Sequence, residues 1–336
     1  MDREQEEMQF LGVCGIYKEA YDIVFSWRKI FSKITLALIL PLSLIFLIHK
    51  EISNILFRNI IINEIDLDQT RVGSPEYDKL SHLISSELIT LWLFKIAYFT
   101  ILLIFSLLST SAVVYTIACI YTGKEVTFKR VMSVVPKVWK RLMVTFLWTF
   151  LAFSAYNITA ILIIIVATIY AVSSTYNVDL MIGIILVIVY LLGFVYLGLV
   201  WLLACVVSVL EDIRGIEAMS KSKALIRGKT GVGMLIFSKL AISVLMLQFA
   251  FQRLVVNGWS LEVVNRVGYG ILCLLVLLKL VLFGLVIQTV LYFVCKSYHH
   301  ENIDKSALSD HLEVYQLLGE YVPLKSKDVQ LEQFQV

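Results

Sequence analysis

Across 336 residues the hydrophobic share is 59% and the charged share 16%, with a mean hydropathy of +0.83; these values exclude a soluble globular chain and make lipid the expected solvent. The net charge of +3 is small and sorted by segment, which points to membrane orientation and anionic headgroups, with no nucleic acid expected as a partner. The opening MDREQEEMQF is acidic and polar, unlike a removable signal peptide, so the first span is expected to serve as its own insertion signal.

Residues 8–31 place Leu11, Cys14, Tyr17, Tyr21, Val24 and Phe25 near one helical face and Lys18, Asp22 and Lys29 largely elsewhere, the pattern of an amphipathic helix lying in the interface. Trp27 and Arg28 then suit headgroup depth. Six stretches are long and apolar enough to cross about 30 Å of hydrocarbon: 30–49, 89–121, 142–172, 181–210, 232–256 and 267–295. Pro41 is expected to kink the first. Between the first two spans, 50–88 reads as an outer loop, its NILFRNIIINEI part packed on the membrane surface and Gly73, Ser74 and Pro75 forming a turn. After the sixth span the tail is polar, with one helical candidate at 305–318 and a break at Pro323.

Counting Lys33, near the start of span one, and Arg253, near the end of span five, with the adjoining segments, twenty of the 29 basic residues lie before span one, between spans two and three, between spans four and five, and after span six, and six lie in the alternate segments. Because Lys and Arg are retained on the cytosolic side, both termini and the two basic segments are expected there. The expected organisation is a cytosolic amphipathic segment at 1–29, a transmembrane domain at 30–295 and a cytosolic tail at 296–336. The predicted fold class is all-α: a six-span helical bundle with an N-terminal interfacial helix and two short basic cytosolic helices.

The second basic segment, VSVLEDIRGIEAMSKSKALIRGKTG, is the most structured signal in the chain. Gly215 and Gly228 bracket a helical pattern in which Ala218, Ser222 and Leu225 share a small or apolar face opposite Lys223 and Arg227. Gly228 suits a left-handed helix end. A shift of 87 residues aligns this segment with the first basic segment around Met132 and Ser133, suggesting a parallel repeat of 89–172 and 181–256. Lys137, Lys140 and Arg141 in the first segment and Lys221, Lys223, Arg227 and Lys229 in the second are the candidate lipid- or partner-binding residues.

Glu211, Gly215, Ala218, Ser222, Leu225 and Gly228 together spell E-x3-G-x2-A-x3-S-x2-L-x2-G. This pattern resembles the signature of the membrane domain associated with bacterial glycerophosphodiester phosphodiesterases. The N-terminal MQFLGVCGIYKEAYDIVFSWRKIF and the tail GEYVPLKS are similar to an uncharacterised plant multi-pass transmembrane family. The resemblance implies six membrane helices and no assigned reaction. In the bacterial relatives a soluble barrel carries catalysis, and only about 40 residues follow span six here, so the resemblance does not carry that activity over.

Other candidate chemistry is thin. Lys279 lies within span six, where a cation costs at least about 2.5–3.5 kcal/mol on insertion scales, so it is the candidate for lining a cavity with hydroxyls, water or a lipid phosphate as partner. Lys95 and Lys239 lie nearer span ends and are expected to snorkel. Asn157, Gln248, Gln252 and Gln288 are expected to be interhelical hydrogen-bond donors. The VGYG at 267–270 is read as an interfacial turn, since Arg266 and Ile271 flank it where a potassium filter carries polar residues. His299, His300, Glu301 and His311 read as a juxtamembrane polar segment in preference to a zinc site. Cys119 and Cys295 are buried thiols or, alternatively, palmitoylation sites. No nucleophile, base and orienting group gather at one depth, so no enzyme, cofactor or metal is expected. The expected role is a non-catalytic scaffold, adaptor or trafficking regulator that engages membrane lipids or a partner protein. The alternative is a small-solute or lipid transporter with a cavity near Lys279.

Overall fold

The computed structural model describes residues 5–124, 126–173, 179–258 and 262–300. Among these residues the chain is all-α with no strand, and six helical segments are long and apolar enough to cross a membrane: Arg28–Gln69, Pro75–Tyr121, Val138–Ile169, Gly183–Leu210, Thr230–Val256 and Val263–Tyr298. The candidate tail helix at 305–318 lies outside the described residues.

A short α1 (Gln5–Met8) and α2 (Val13–Ser26) precede α3 (Arg28–Ile34), which runs through a π turn at Thr35–Ile39 into α4 (Leu40–Gln69). Pro41 explains the π turn. Its ring lacks an N–H and crowds the carbonyl four residues back, and the widened turn accommodates both without ending the helix. A second π turn, Gln252–Val256, ends α9 (Thr230–Phe251). There Arg266 Nε donates to the Val255 carbonyl at 3.0 Å while its Nη2 lies 3.3 Å from Glu51, tying α4 to the last two helices.

The segment between the first two spans is helix where the sequence reading expects a surface loop. α4 continues unbroken to Gln69, and α5 (Pro75–Tyr121) begins after a five-residue turn. Ser74 caps α5 by accepting the Tyr77 N–H at 3.2 Å, with Pro75 in its first turn and Glu76 and Asp78 facing the positive helix end. Ser53, Leu56, Ile60, Asn63 and Leu67 of α4 face inward, as do Tyr77, Leu80, Ile84, Glu87 and Leu91 of α5. This alternation of three- and four-residue steps is the seam of an antiparallel coiled coil. The seam carries one polar pair, Asn63 Nδ2 donating to Glu87 Oε2 at 2.8 Å.

α6 (Phe128–Ser173) and α7 (Asp179–Leu210) form the next hairpin, followed by α8 (Ile216–Ile226), α9 and α10 (Val263–Tyr298). Only one of the two expected short basic helices is separate. The first basic segment is the foot of α6, which passes Pro136 without a break. Under the 87-residue shift Arg141 stands where Gly228 stands, and the chain turns at Gly228 with φ +89° but continues helical at Arg141. The VGYG at 267–270 is also helical, inside the first turns of α10, and is not a turn.

The two ends of the bundle obey different rules. At the end carrying α8, here called the inner end, ten consecutive residues of α10, 286–295, are buried among Val113–Cys119 of α5, Val131–Leu142 of α6 and Leu199–Leu210 of α7. Toward the other end the helices expose large apolar side chains on most sides, among them Trp92, Leu151, Ile185 and Phe249. α2 docks on α10 through Ile16, Ala20 and Ile23, whose i, i+4, i+7 spacing makes a narrow apolar strip. The aromatic face predicted for the membrane is exposed at Tyr21 and Phe25, with the Tyr21 ring against Phe283 of α10. Cys119 and Cys295 are buried, which sets palmitoylation there aside; Cys14 is exposed.

Candidate functional site: the basic inner end

Two glycines in left-handed backbone make α8 a separate piece. Gly215 has φ +64° and Gly228 φ +89°. Space forbids a side chain at both: a Cβ on Gly215 would stand 2.9 Å from Trp148 Cδ1, and one on Gly228 would run into the Tyr298 ring. The Gly215 N–H, left without an intrahelical partner, donates to Thr145 Oγ1 at 2.9 Å, and Thr145 is in turn 2.6 Å from Ser208 Oγ.

Between the glycines, Ala218, Ser222 and Leu225 are fully buried, and Lys223 and Arg227 are exposed, the division the helical spacing predicts. The Ser222 hydroxyl donates to the Val200 carbonyl of α7 at 2.8 Å. Ala218 and Leu225 pack beside it in the main core. The Leu225 carbonyl accepts from His299 Nε2 at 3.0 Å, which pins the far end of α8 to the end of α10. That contact gives His299 a structural role; Glu301 and His311 of the same predicted polar segment lie outside the described residues.

Glu211, the first residue of the sequence motif, divides its two oxygens between elements. Oε2 takes Lys221 of α8 at 2.5 Å, while Oε1 accepts from Tyr292 at 2.6 Å and from Lys296 at 3.2 Å, both on α10. Burial by itself raises a carboxyl pKa, but the hydrogen bonds from Lys221 and Tyr292 and the charges of Lys296 and Lys221 outweigh it and hold Glu211 below its ordinary value. Beside it Arg141 pairs with Asp212 at 2.5 Å.

These contacts narrow the predicted binding set. Lys221 and Arg141 are spent on Glu211 and Asp212, and Lys229 Nζ sits 5.4 Å from the centre of the Tyr298 ring, so the three hold the fold together where a docking role is predicted for them. Lys140, Lys223 and Arg227 remain exposed, joined by Lys129 and Arg214, with Asp212 and Glu217 the carboxylates exposed nearby. The side chain of Lys137 lies outside the described residues. The sequence reading missed Tyr292, Lys296 and Thr145. A tyrosine and a lysine four apart at the end of an apolar span are a legible pair, but nothing local ties them to Glu211.

Lys279 is not enclosed between helices. It is exposed on the face of α10 opposite the buried Leu277, because the inward positions there belong to Cys273 and Leu277, which pack with Leu47, Phe251 and Val256. Gln288 is buried beside a crevice between α7, α9 and α10 that is too tight for a water molecule. Asn157 acts as interhelical glue, accepting from the Tyr190 hydroxyl at 2.9 Å and donating to the Phe153 carbonyl at 2.7 Å.

A family model described as Domain of unknown function (DUF8558) matches residues 1–334, and the chain belongs to that family. No curated protein matches it. No solved structure matches it either.

Proposed function

We propose, for this member of a family described as of unknown function, a non-catalytic role as a membrane scaffold or adaptor that docks an anionic surface on its basic inner end. The carrying observation is the division of labour on α8. One side, Ala218, Ser222 and Leu225, is consumed in packing, and the other exposes Lys223 and Arg227, while Lys140 is exposed on the foot of α6. Every residue of the motif has a structural task, so the motif reads as the device that fixes this cationic face and not as a catalytic constellation. The charge bias between segments supports a cytosolic setting for it. The plant-family likeness and the bacterial membrane-domain likeness agree with a docking role, because neither brings a reaction with it. The transporter alternative loses its main residue with Lys279 turned outward.

The test is binding of the purified full chain to two probes, polyglutamate and phosphatidylserine-containing vesicles, at low and high salt. The charge-removing variant K140Q/K223Q/R227Q should keep its thermal transition and lose salt-sensitive binding, and the charge-preserving K140R/K223R/R227K should restore it. Equal binding by the charge-removing variant would end the docking reading.

A further inference from the structure

The exposed stripe of α8 and the end of α10 meet at one corner of the inner end. Ile216, Ser220, Lys223 and Arg227 are all exposed, and their steps of four, three and four residues put them on one line along the helix. The last turn of α10 closes on the C-terminal end of that line: the Tyr298 ring stands where a side chain on Gly228 would be, and His299 Nε2 lies 3.0 Å from the Leu225 carbonyl. The next residue, His300, has left-handed backbone with φ +50°, and its N–H donates to the Ser297 carbonyl at 3.0 Å. That geometry ends the helix and turns the chain off its axis. The polypeptide therefore leaves the last span against the end of α8, where the Leu225 carbonyl is two residues from Arg227.

We propose that residues 301–320 of this chain occupy that stripe, with their carboxylates on Lys223 and Arg227. The segment lies outside the described residues, and its sequence sets Glu301, Asp304, Asp310, Glu313 and Glu320 against one lysine, Lys305. The exposed side of α8 has the opposite balance at its C-terminal end, Lys223 and Arg227, with Glu217 at the other end. Leu308, Leu312 and Tyr315 recur at steps of four and three, a spacing that suits the exposed Ile216 and Tyr298 at the two ends of α8.

Magnitudes favour a tethered occupant. One exposed ion pair changes a binding constant by about fivefold at most, so two cations hold a free acidic partner weakly. A segment joined to the site has an effective concentration of the order of millimolar, and there the same two pairs, helped by the apolar contacts, are enough. Length permits the contact, since α8 has 11 residues, about 16 Å along its axis, and twenty residues reach up to about 65 Å. The consequence is competition: an anionic surface must displace the tail to reach α8. This last step rests on the docking reading above; the position of the tail does not.

The experiment places the full chain in phosphatidylcholine nanodiscs, mixing light and heavy-isotope copies, and treats them with a carbodiimide, which joins a lysine to a carboxylate only where the two touch. Mass spectrometry of the digest should find Lys223 linked within one chain to Glu301, Asp304, Asp310 or Glu313, and 1 M salt, with a Debye length of about 3 Å, should abolish the link. No link from Lys223, or links only to the acidic opening at 2–7 or to a second copy, would overturn the proposal. As a second reading, E301Q/D304N/D310N/E313Q should bind polyglutamate about tenfold more tightly than the unaltered chain, the gain from freeing a face covered about nine-tenths of the time, and adding K223Q/R227Q should remove that gain. Equal, salt-sensitive binding by the two chains would overturn the proposal. If the links form but E301Q/D304N/D310N/E313Q shows no salt-sensitive polyglutamate binding, the docking reading alone fails.

Discussion

The Tyr292 hydroxyl donates to Glu211 Oε1 at 2.6 Å across 81 residues of sequence, and the other oxygen of the same carboxylate holds Lys221. One side chain therefore joins the last span to the short basic helix. Replacing Glu211 by Gln should leave Lys221 and Lys296 half-buried without their counter-charge. The expected cost is about 1–3 kcal/mol, less than for a fully buried pair because both lysines reach solvent. Thermal unfolding of the detergent-solubilised chain measures it.

The same carboxylate sets an acid limit. Because Glu211 is held below its ordinary value in the folded chain, its contribution is complete above the unfolded pKa and is lost as pH falls through the lower folded one. Stability measured against pH should fall on the acid side of the ordinary glutamate range, and E211Q should flatten that part of the curve. An unchanged slope in E211Q would assign the acid sensitivity elsewhere.

At the two ends of α8, Ala in place of Gly215 or Gly228 forces a Cβ into left-handed backbone and against Trp148 or Tyr298. Each should cost about 1–3 kcal/mol. Ser222→Ala, which removes only the hydrogen bond to Val200, should cost about 0.5–1.5 kcal/mol. Proteolysis within 216–226 should quicken in the same order.

In the α4–α5 stalk the Asn63–Glu87 pair is the polar contact between the two helices of the seam and fixes its register. Glu87→Leu alone should destabilise the stalk by orphaning Asn63. The double change Asn63→Leu with Glu87→Leu should recover or exceed the original stability, because polar seam residues specify alignment at a cost in free energy. Hydrogen exchange along 50–95 reports both.

Spans, helical class and the two-faced character of α8 were legible because each rests on local periodicity: runs of about 20 apolar residues, and Ala218, Ser222 and Leu225 on one side of a helix. The stalk was legible too but overlooked, since the alternating three- and four-residue steps from Ser53 to Leu67 are masked by isoleucines on its other faces. What local pattern cannot carry is partnership across the chain. Nothing around Lys221 or Arg141 marks them as ion-paired while Lys223 and Lys140 stay exposed; that depends on where Glu211 and Asp212 arrive. Lys279 misled for a related reason, as counting residues along one span does not fix which way a side chain faces.

The account stands on a chain that crosses the bilayer six times with its basic end in the cytosol. Residues 73 and 223 made singly into cysteines, in a chain with Cys14 replaced by Ser, can be probed with a membrane-impermeant maleimide in sealed vesicles of known sidedness. The account expects 223 to react only from the cytosolic side and 73 only from the opposite side. Reaction of both from the same side, or of 223 from the non-cytosolic face, would contradict it.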